Sequence, residues 1–254
     1  MMRVMSLSET WSKYEPAIRA LPADRPLTKE DLLTEPFRME SQGRLEMYYA
    51  PHHEYANRSA KVVLIGITPG WTQMRIAFQT AREGLERGLP AQEIARRTKS
   101  AARFAGAMRS NLVLMLNALE LPQALGLASS DELFENADGL LHTTSVLKYP
   151  VFVDKQNYTG SRPALMATPF LRERALLSIR SELEGFRDAL IIPLGRTVEA
   201  VLRELPQGDC PGTEQLLAGF PHPSGANGHR HRQLAEGADR MKAVIRRVLV
   251  RGVR

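Results

Sequence analysis

The feature that most limits the fold is the run Lys61-Val-Val-Leu-Ile-Gly66, apolar and β-branched without alternation. A strand with one face in water alternates polar and apolar residues. A strand buried on both faces does not, and such strands belong to parallel sheets covered by helices. The run stops at a turn, Ile67-Thr-Pro-Gly70. Three further short runs follow: Leu140-Leu-His-Thr-Thr-Ser-Val-Leu147, Asp188-Ala-Leu-Ile-Ile-Pro-Leu194 and Gln215-Leu-Leu-Ala-Gly-Phe220. Helical spacing fills residues 71–88, 99–119 and 164–183, with Gly88-Leu-Pro90 as punctuation, and Gly195-Arg-Thr197 opens another helix. A final amphipathic, basic helix is expected over 233–250. Strands alternating with helices predict an α/β fold: a three-layer α/β/α arrangement around a four-stranded parallel sheet.

The first sixty residues read as an N-terminal helical addition to a core at 61–254, the whole forming one domain of 254 residues. Residues 11–21 have helical apolar spacing broken by Pro16, and Thr28 opens a short helix with Glu30 and Asp31 in its first turn. Leu45-Glu-Met-Tyr-Tyr-Ala50 alternates enough for a strand at a sheet edge. No apolar run is long enough to cross a bilayer, and the start, MMRVMSLSETWSKYEP, lacks a signal-peptide core. The expectation is a cytoplasmic monomer with no membrane partner. One cysteine, Cys210, can form neither an internal disulfide nor a thiolate metal cluster. His222, His229 and His231 have no Cys or carboxylate at ligand spacing, so neither metal nor cofactor is expected.

Lys and Arg number 34 against 28 Asp and Glu, a net charge of +6, and the excess gathers late in the chain. His229-Arg-His-Arg232 is followed by Arg240, Lys242, Arg246, Arg247, Arg251 and Arg254. This is either a solvated helix face with a basic tail or a surface that tracks phosphates.

Ligands of open parallel sheets bind beyond the carboxyl ends of the strands. At the first such end lies Gly66-Ile-Thr-Pro-Gly70, where glycines permit unusual angles and a following helix directs N–H groups at the loop's contents. At the last lies Phe220-Pro-His-Pro-Ser-Gly225, which fixes His222 between two prolines. A neutral imidazole held in this way can donate a hydrogen bond to a developing oxyanion. Either loop taken alone also fits an ordinary turn. Phe104 also fits a core position, Lys148 a surface charge, and His142 a structural histidine on its strand.

Taken together, the two loops resemble those of the uracil-DNA glycosylase superfamily, which carries G-x-(D/N)-P-(G/Y) after an early strand and (H/N)-P-S-(P/G) late in the chain. Arg103-Phe-Ala-Gly106 resembles its P-F-x-G segment, Thr144-Ser-Val-Leu-Lys148 its T-N-x-x-K segment, and Ile192-Pro-Leu-Gly-Arg-Thr197 its L-G-R-x-A segment. The likeness spans residues 61–235. It implies an enzyme that flips an altered base out of DNA and hydrolyses its bond to the sugar. By that likeness His222 donates to the base carbonyl, the residue at 68 orients the attacking water, and Phe104 stacks on the base. Ser145, or its neighbour Thr144, reads the base edge. Backbone amides of Gly66, Ile67, Thr68 and Gly70, with Pro69, line the pocket. Lys148, Ser224, Gly225, Asn227, Arg230 and Arg232 contact the DNA.

Two positions depart from the pattern. Thr68 stands where the family carries Asp or Asn, and a hydroxyl can hold a water but cannot act as a general base. Ser145 stands where many members carry Asn. These departures keep a second class open, a catalytically weak sensor of altered bases with the same pocket. A third, an unrelated α/β enzyme acting on a nucleotide or phosphate ester, requires a further carboxylate or metal cluster.

Overall fold

The computed structural model describes residues 7–104, 106–206 and 212–250. Cys210, Ala105, Arg251 and Arg254 lie outside the described residues. In chain order the elements are α1 (Leu7–Arg19), α2 (Lys29–Leu32), β1 (Arg38–Gln42), β2 (Leu45–Tyr48), β3 (Val62–Gly66), α3 (Trp71–Glu86), α4 (Ala91–Ala102) and α5 (Ala107–Ala118). There follow α6 (Leu121–Leu125), β4 (Leu141–Ser145), β5 (Val151–Val153), β6 (Gln156–Asn157), α7 (Pro169–Leu183), β7 (Leu190–Pro193), α8 (Arg196–Arg203) and α9 (Arg230–Ile245). The chain divides into two compact units, each built from several separate stretches.

The first unit takes the chain up to Ala56 with Thr68–Arg103 and Tyr149–Thr159. Its sheet has the order β1-β2-β5-β6, antiparallel throughout. β2 is therefore an interior strand and not the edge that its sequence suggested, because β5 pairs with it from the far end of the unit. The N-terminal stretch thus brings strands as well as helices. Trp11, Tyr14 and Ile18 of α1 share a core with Phe37, Tyr49, Met74, Phe78 and Phe152. α3 and α4 pack as a helical hairpin closed at Gly84, where a Cβ would come within 2.8 Å of Ile94. Only glycine permits that approach.

The second unit holds Asn57–Ile67, Phe104–Lys148 and the chain from Gly160 onward. It carries the parallel sheet, in the order β4-β3-β7, with Val62 opposite both Leu141 and Leu190. β3 is central, as its unbroken apolar run requires. Helices surround this parallel sheet, so the unit is of mixed α/β type. The expected fourth strand over 215–220 contracts to a single parallel bridge, Leu216 with Ile191. The Ala218 N–H turns back onto the Leu216 carbonyl at 2.9 Å, and Gly219 takes φ +84°, so the segment leaves the sheet after one pairing.

Side-chain alternation sorts the two faces. Val62, Leu64, Leu141, Leu190 and Ile192 share a core with Leu112 and Leu116 of α5 and with Leu234, Met241 and Ile245 of α9. On the other face, His142 Nε2 meets Glu182 Oε1 of α7 at 2.8 Å, and its ring stacks on Phe186. The Asn57 N–H donates to His142 Nδ1 at 3.4 Å, so the proton sits on Nε2 and points at the carboxylate. His142 is the structural histidine its strand position suggested.

Among the described residues, no helix is long and apolar enough to cross a membrane.

Candidate functional site

The carboxyl ends of the parallel strands lie in the second unit. Gly66 is paired with Ser145, and the ladder continues beyond the strands through Val146 N–H to Gly66 O (3.0 Å) and Leu147 N–H to Ile67 O (2.9 Å). Ser145 Oγ lies 3.5 Å from where a Gly66 Cβ would stand. Ser145 and Thr144 point to opposite faces. Ser145 shares its face with Leu141, Leu64 and the α5–α9 core, while Thr144 lies on the His142 face with a buried, unpartnered hydroxyl.

The His222 loop rests on the turn after β7. Gly195, at φ +93°, donates its N–H to Phe220 O at 3.1 Å. A Cβ on Gly195 would come within 3.0 Å of His222 Cβ, so a side chain there would push the histidine away. Burial lowers the His222 pKa, which leaves the imidazole neutral near pH 7. The Ser224 N–H lies 3.2 Å from His222 Nδ1, and an amide N–H can only donate. Nδ1 is therefore the acceptor and Nε2 carries the proton. His222 is a fixed neutral donor.

Phe104 belongs to the same unit and the same sheet face, but it is only 7% exposed and lies in the core that also holds Leu64, Leu194 and Phe220. Its backbone takes φ +20°, unusual for a bulky residue, and Arg109 Nε donates to its carbonyl at 2.6 Å. The expected stacking face is thus a core face here.

Thr68, Pro69 and Gly70 fall in the first unit. The Thr68 hydroxyl donates to Tyr149 O at 3.0 Å and accepts from the Val151 N–H at 3.1 Å. Its one proton is spent on fastening this loop to the start of β5. The Gly70 amide donates to Gln73 Oε1 and the Trp71 amide to Asn157 Oδ1, so two N–H groups at the start of α3 are already capped by side chains. Thr68→Val keeps the shape but removes both hydrogen bonds, the one to Tyr149 O and the one from the Val151 N–H. It should cost about 1–3 kcal/mol in chemical denaturation, whereas Thr68→Ser should cost less than about 1 kcal/mol.

The remaining DNA-contact candidates divide. Lys148 Nζ stands 3.9 Å from Glu182 Oε2. Arg230 Nη1 donates to Asn227 O at 3.2 Å and Nη2 to Asn111 Oδ1 at 3.4 Å. Ser224 Oγ accepts from the Ala226 N–H, Asn227 Nδ2 donates to His222 O, and Gly225 is exposed. Arg232 is exposed, 3.7 Å from Glu236. Further along, Lys242 and Arg246 both grip Glu120, and Arg240 and Arg247 donate to the carbonyls of Ala218 and Glu214. The basic helix is largely pinned to its own unit. Spacing along the sequence shows where charges recur but not what lies opposite them.

Comparison with known proteins places the chain among relatives. It is 46% identical over 221 residues to the uncharacterized protein YoxB of Bacillus subtilis (strain 168), an alignment covering 87% of this chain and 86% of that one. The chain belongs to the YoxB family. No protein-family model matches it, and no solved structure does.

In this YoxB-family chain, sequence reasoning passed over three residues, one in the second unit and two in the first. Asn111 of α5 donates from Nδ2 to Pro223 O at 2.9 Å, and Asn157 caps α3. Asn111 left a trace in the sequence, because asparagine is a poor helix former placed in mid-helix. The third, like Asn157, lies in the first unit. His52 is 3% exposed, neither ring nitrogen has a partner, and burial, with Lys99 nearby, drives its pKa well below the usual value. The unfolded chain therefore takes up this proton first. The contribution of His52 is intact above about pH 6.5 and is lost as pH falls, by up to about 1.4 kcal/mol per pH unit. Urea midpoints should drop between pH 6.5 and 5, and His52→Leu should flatten that slope.

Proposed function

We propose that this chain is a DNA-base glycosylase that flips out and hydrolytically excises uracil or another altered base, on a three-layer α/β/α fold of the uracil-DNA glycosylase type. The observation that carries the reading is His222: a half-buried neutral imidazole whose Nε2–H is the free donor, on a proline-stiffened loop at the carboxyl end of the parallel sheet. Breaking the bond between base and sugar sends its electron pair to the base. A water supplies the new bond to the sugar carbon, and its proton ends on the base. A donor oriented in advance toward the base oxygen stabilises that charge without reorganisation. Gly66 and Ser145 stand on the neighbouring strand ends, and Arg232 offers an exposed charge to phosphate.

A sensor that binds an altered base without releasing it is favoured by one observation: the Thr68 hydroxyl, at the position that would orient the water, is already engaged. One experiment separates the readings. Duplex and single-stranded oligonucleotides carrying uracil, hypoxanthine, xanthine or an alkylated base are incubated with the protein and assayed for abasic sites, with binding measured across a salt series. Abasic sites at one base establish the enzyme. Salt-sensitive, base-selective binding without them establishes the sensor. The absence of both overturns the nucleic-acid reading.

A further inference from the structure

The loop that holds His222 is short of backbone donors, because Pro221 and Pro223 have no N–H. Its carbonyls are held from outside by side-chain amides. Asn227 Nδ2 donates to His222 O at 3.2 Å, and Asn111 Nδ2 donates to Pro223 O at 2.9 Å. The far end of Asn111 is taken by Arg230, whose Nη2 lies 3.4 Å from Asn111 Oδ1 while Nη1 donates to Asn227 O. The five residues close a circuit that runs from Asn111 to Pro223 and His222, through Asn227 and Arg230, and back to Asn111. Chemistry fixes the orientation of the Asn111 amide, since a carbonyl cannot donate and a guanidinium cannot accept. A helix gains nothing from asparagine at an interior position.

We infer that Asn111 is a positioning residue for His222: it clamps Pro223 to α5, so that the Ser224 N–H stays on Nδ1 and the proton stays on Nε2. The inference rests on the proposed glycosylase reading for its catalytic consequence, but not for its structural one. It also gives Arg230 an internal task, as the brace that orients Asn111.

The test uses the full chain and two readouts. Long-range nitrogen–proton NMR of the imidazoles, with His222 assigned by its loss in His222→Ala, reports which nitrogen is protonated and at what pH the ring titrates. Asn111→Leu removes both contacts. Asn111→Asp keeps an acceptor for Arg230 but cannot donate to Pro223 O, and Asn111→Ser is a smaller change should the leucine variant not fold. In each, His222 should become a mixture of tautomers that titrates closer to an ordinary histidine. Where base release is measurable, kcat should fall about tenfold with KM within about twofold, the pattern of lost alignment. A His222 with wild-type tautomer and titration in every folded variant overturns the inference, whatever the activity. Absence of base release in the wild type overturns the catalytic reading and leaves the NMR result to decide the clamp.

Discussion

In His222→Ala, base release is expected to fall by about a hundredfold or more, the loss seen when one preorganised donor, worth roughly 3 kcal/mol, is removed from an oxyanion site. Stability should change little. The ring makes one hydrogen bond through its side chain, to the Ser224 N–H, and the loop keeps its amide clamps from Asn227 and Asn111. Single-turnover rates on the responsive oligonucleotide, set beside melting temperatures, separate the two effects. His222→Gln should recover part of the rate because its amide still donates. An alanine variant that releases base at the wild-type rate would remove His222 from the mechanism and end the glycosylase reading. In the sensor reading the same variant should instead weaken base-selective binding.

Phe78→Ala should produce the largest loss of stability in the first unit. Phe78 is fully buried on α3, with its ring against Phe37 at 4.7 Å and Tyr49 at 6.3 Å between centroids. Truncating such a ring removes its transfer free energy and leaves a cavity, together about 3–5 kcal/mol. Domains hold only about 5–15 kcal/mol in total. Both tryptophans, Trp11 and Trp71, lie in this unit, so tryptophan fluorescence reads its unfolding directly. The urea midpoint by fluorescence should drop sharply in Phe78→Ala and less in Phe78→Leu. An unchanged midpoint would show that Phe78 does not carry the core described above.

The sequence revealed the second unit far better than the first, for a physical reason. A parallel strand buried on both faces announces itself as an uninterrupted apolar run, and β3 and β7 do so. β1 reads Arg-Met-Glu-Ser-Gln, which has no apolar face, while β5 and β6 are too short to show a period. Those strands exist through their partners and not through their composition. The same divide separates residues within the site. The stiffened position of His222 could be read from its two prolines, but its protonated nitrogen depends on a backbone N–H two residues on. At Thr68 the residue type was legible and its use was not, because Tyr149 and Val151 reach it from a distant part of the chain. Phe104 looked equally suited to stack on a ligand or to fill a core, and its burial in the core that also holds Leu64, Leu194 and Phe220 decides for the core.

The order β4-β3-β7 has a consequence for how the protein is made. The central strand is also the first to be synthesised, at Val62–Gly66, while its two neighbours arrive only at Leu141–Ser145 and Leu190–Pro193. α9, which completes the core beneath that sheet, comes near the end of the chain. During translation a sticky Val-Val-Leu-Ile segment therefore waits with both hydrogen-bonding edges bare, and no local contact can relieve it. Pairings so distant along the chain make folding slow and leave time for nascent chains to meet one another. A ribosome stalled before Leu190 would display a half-built sheet open along one side, a natural client for chaperones that shield apolar strands.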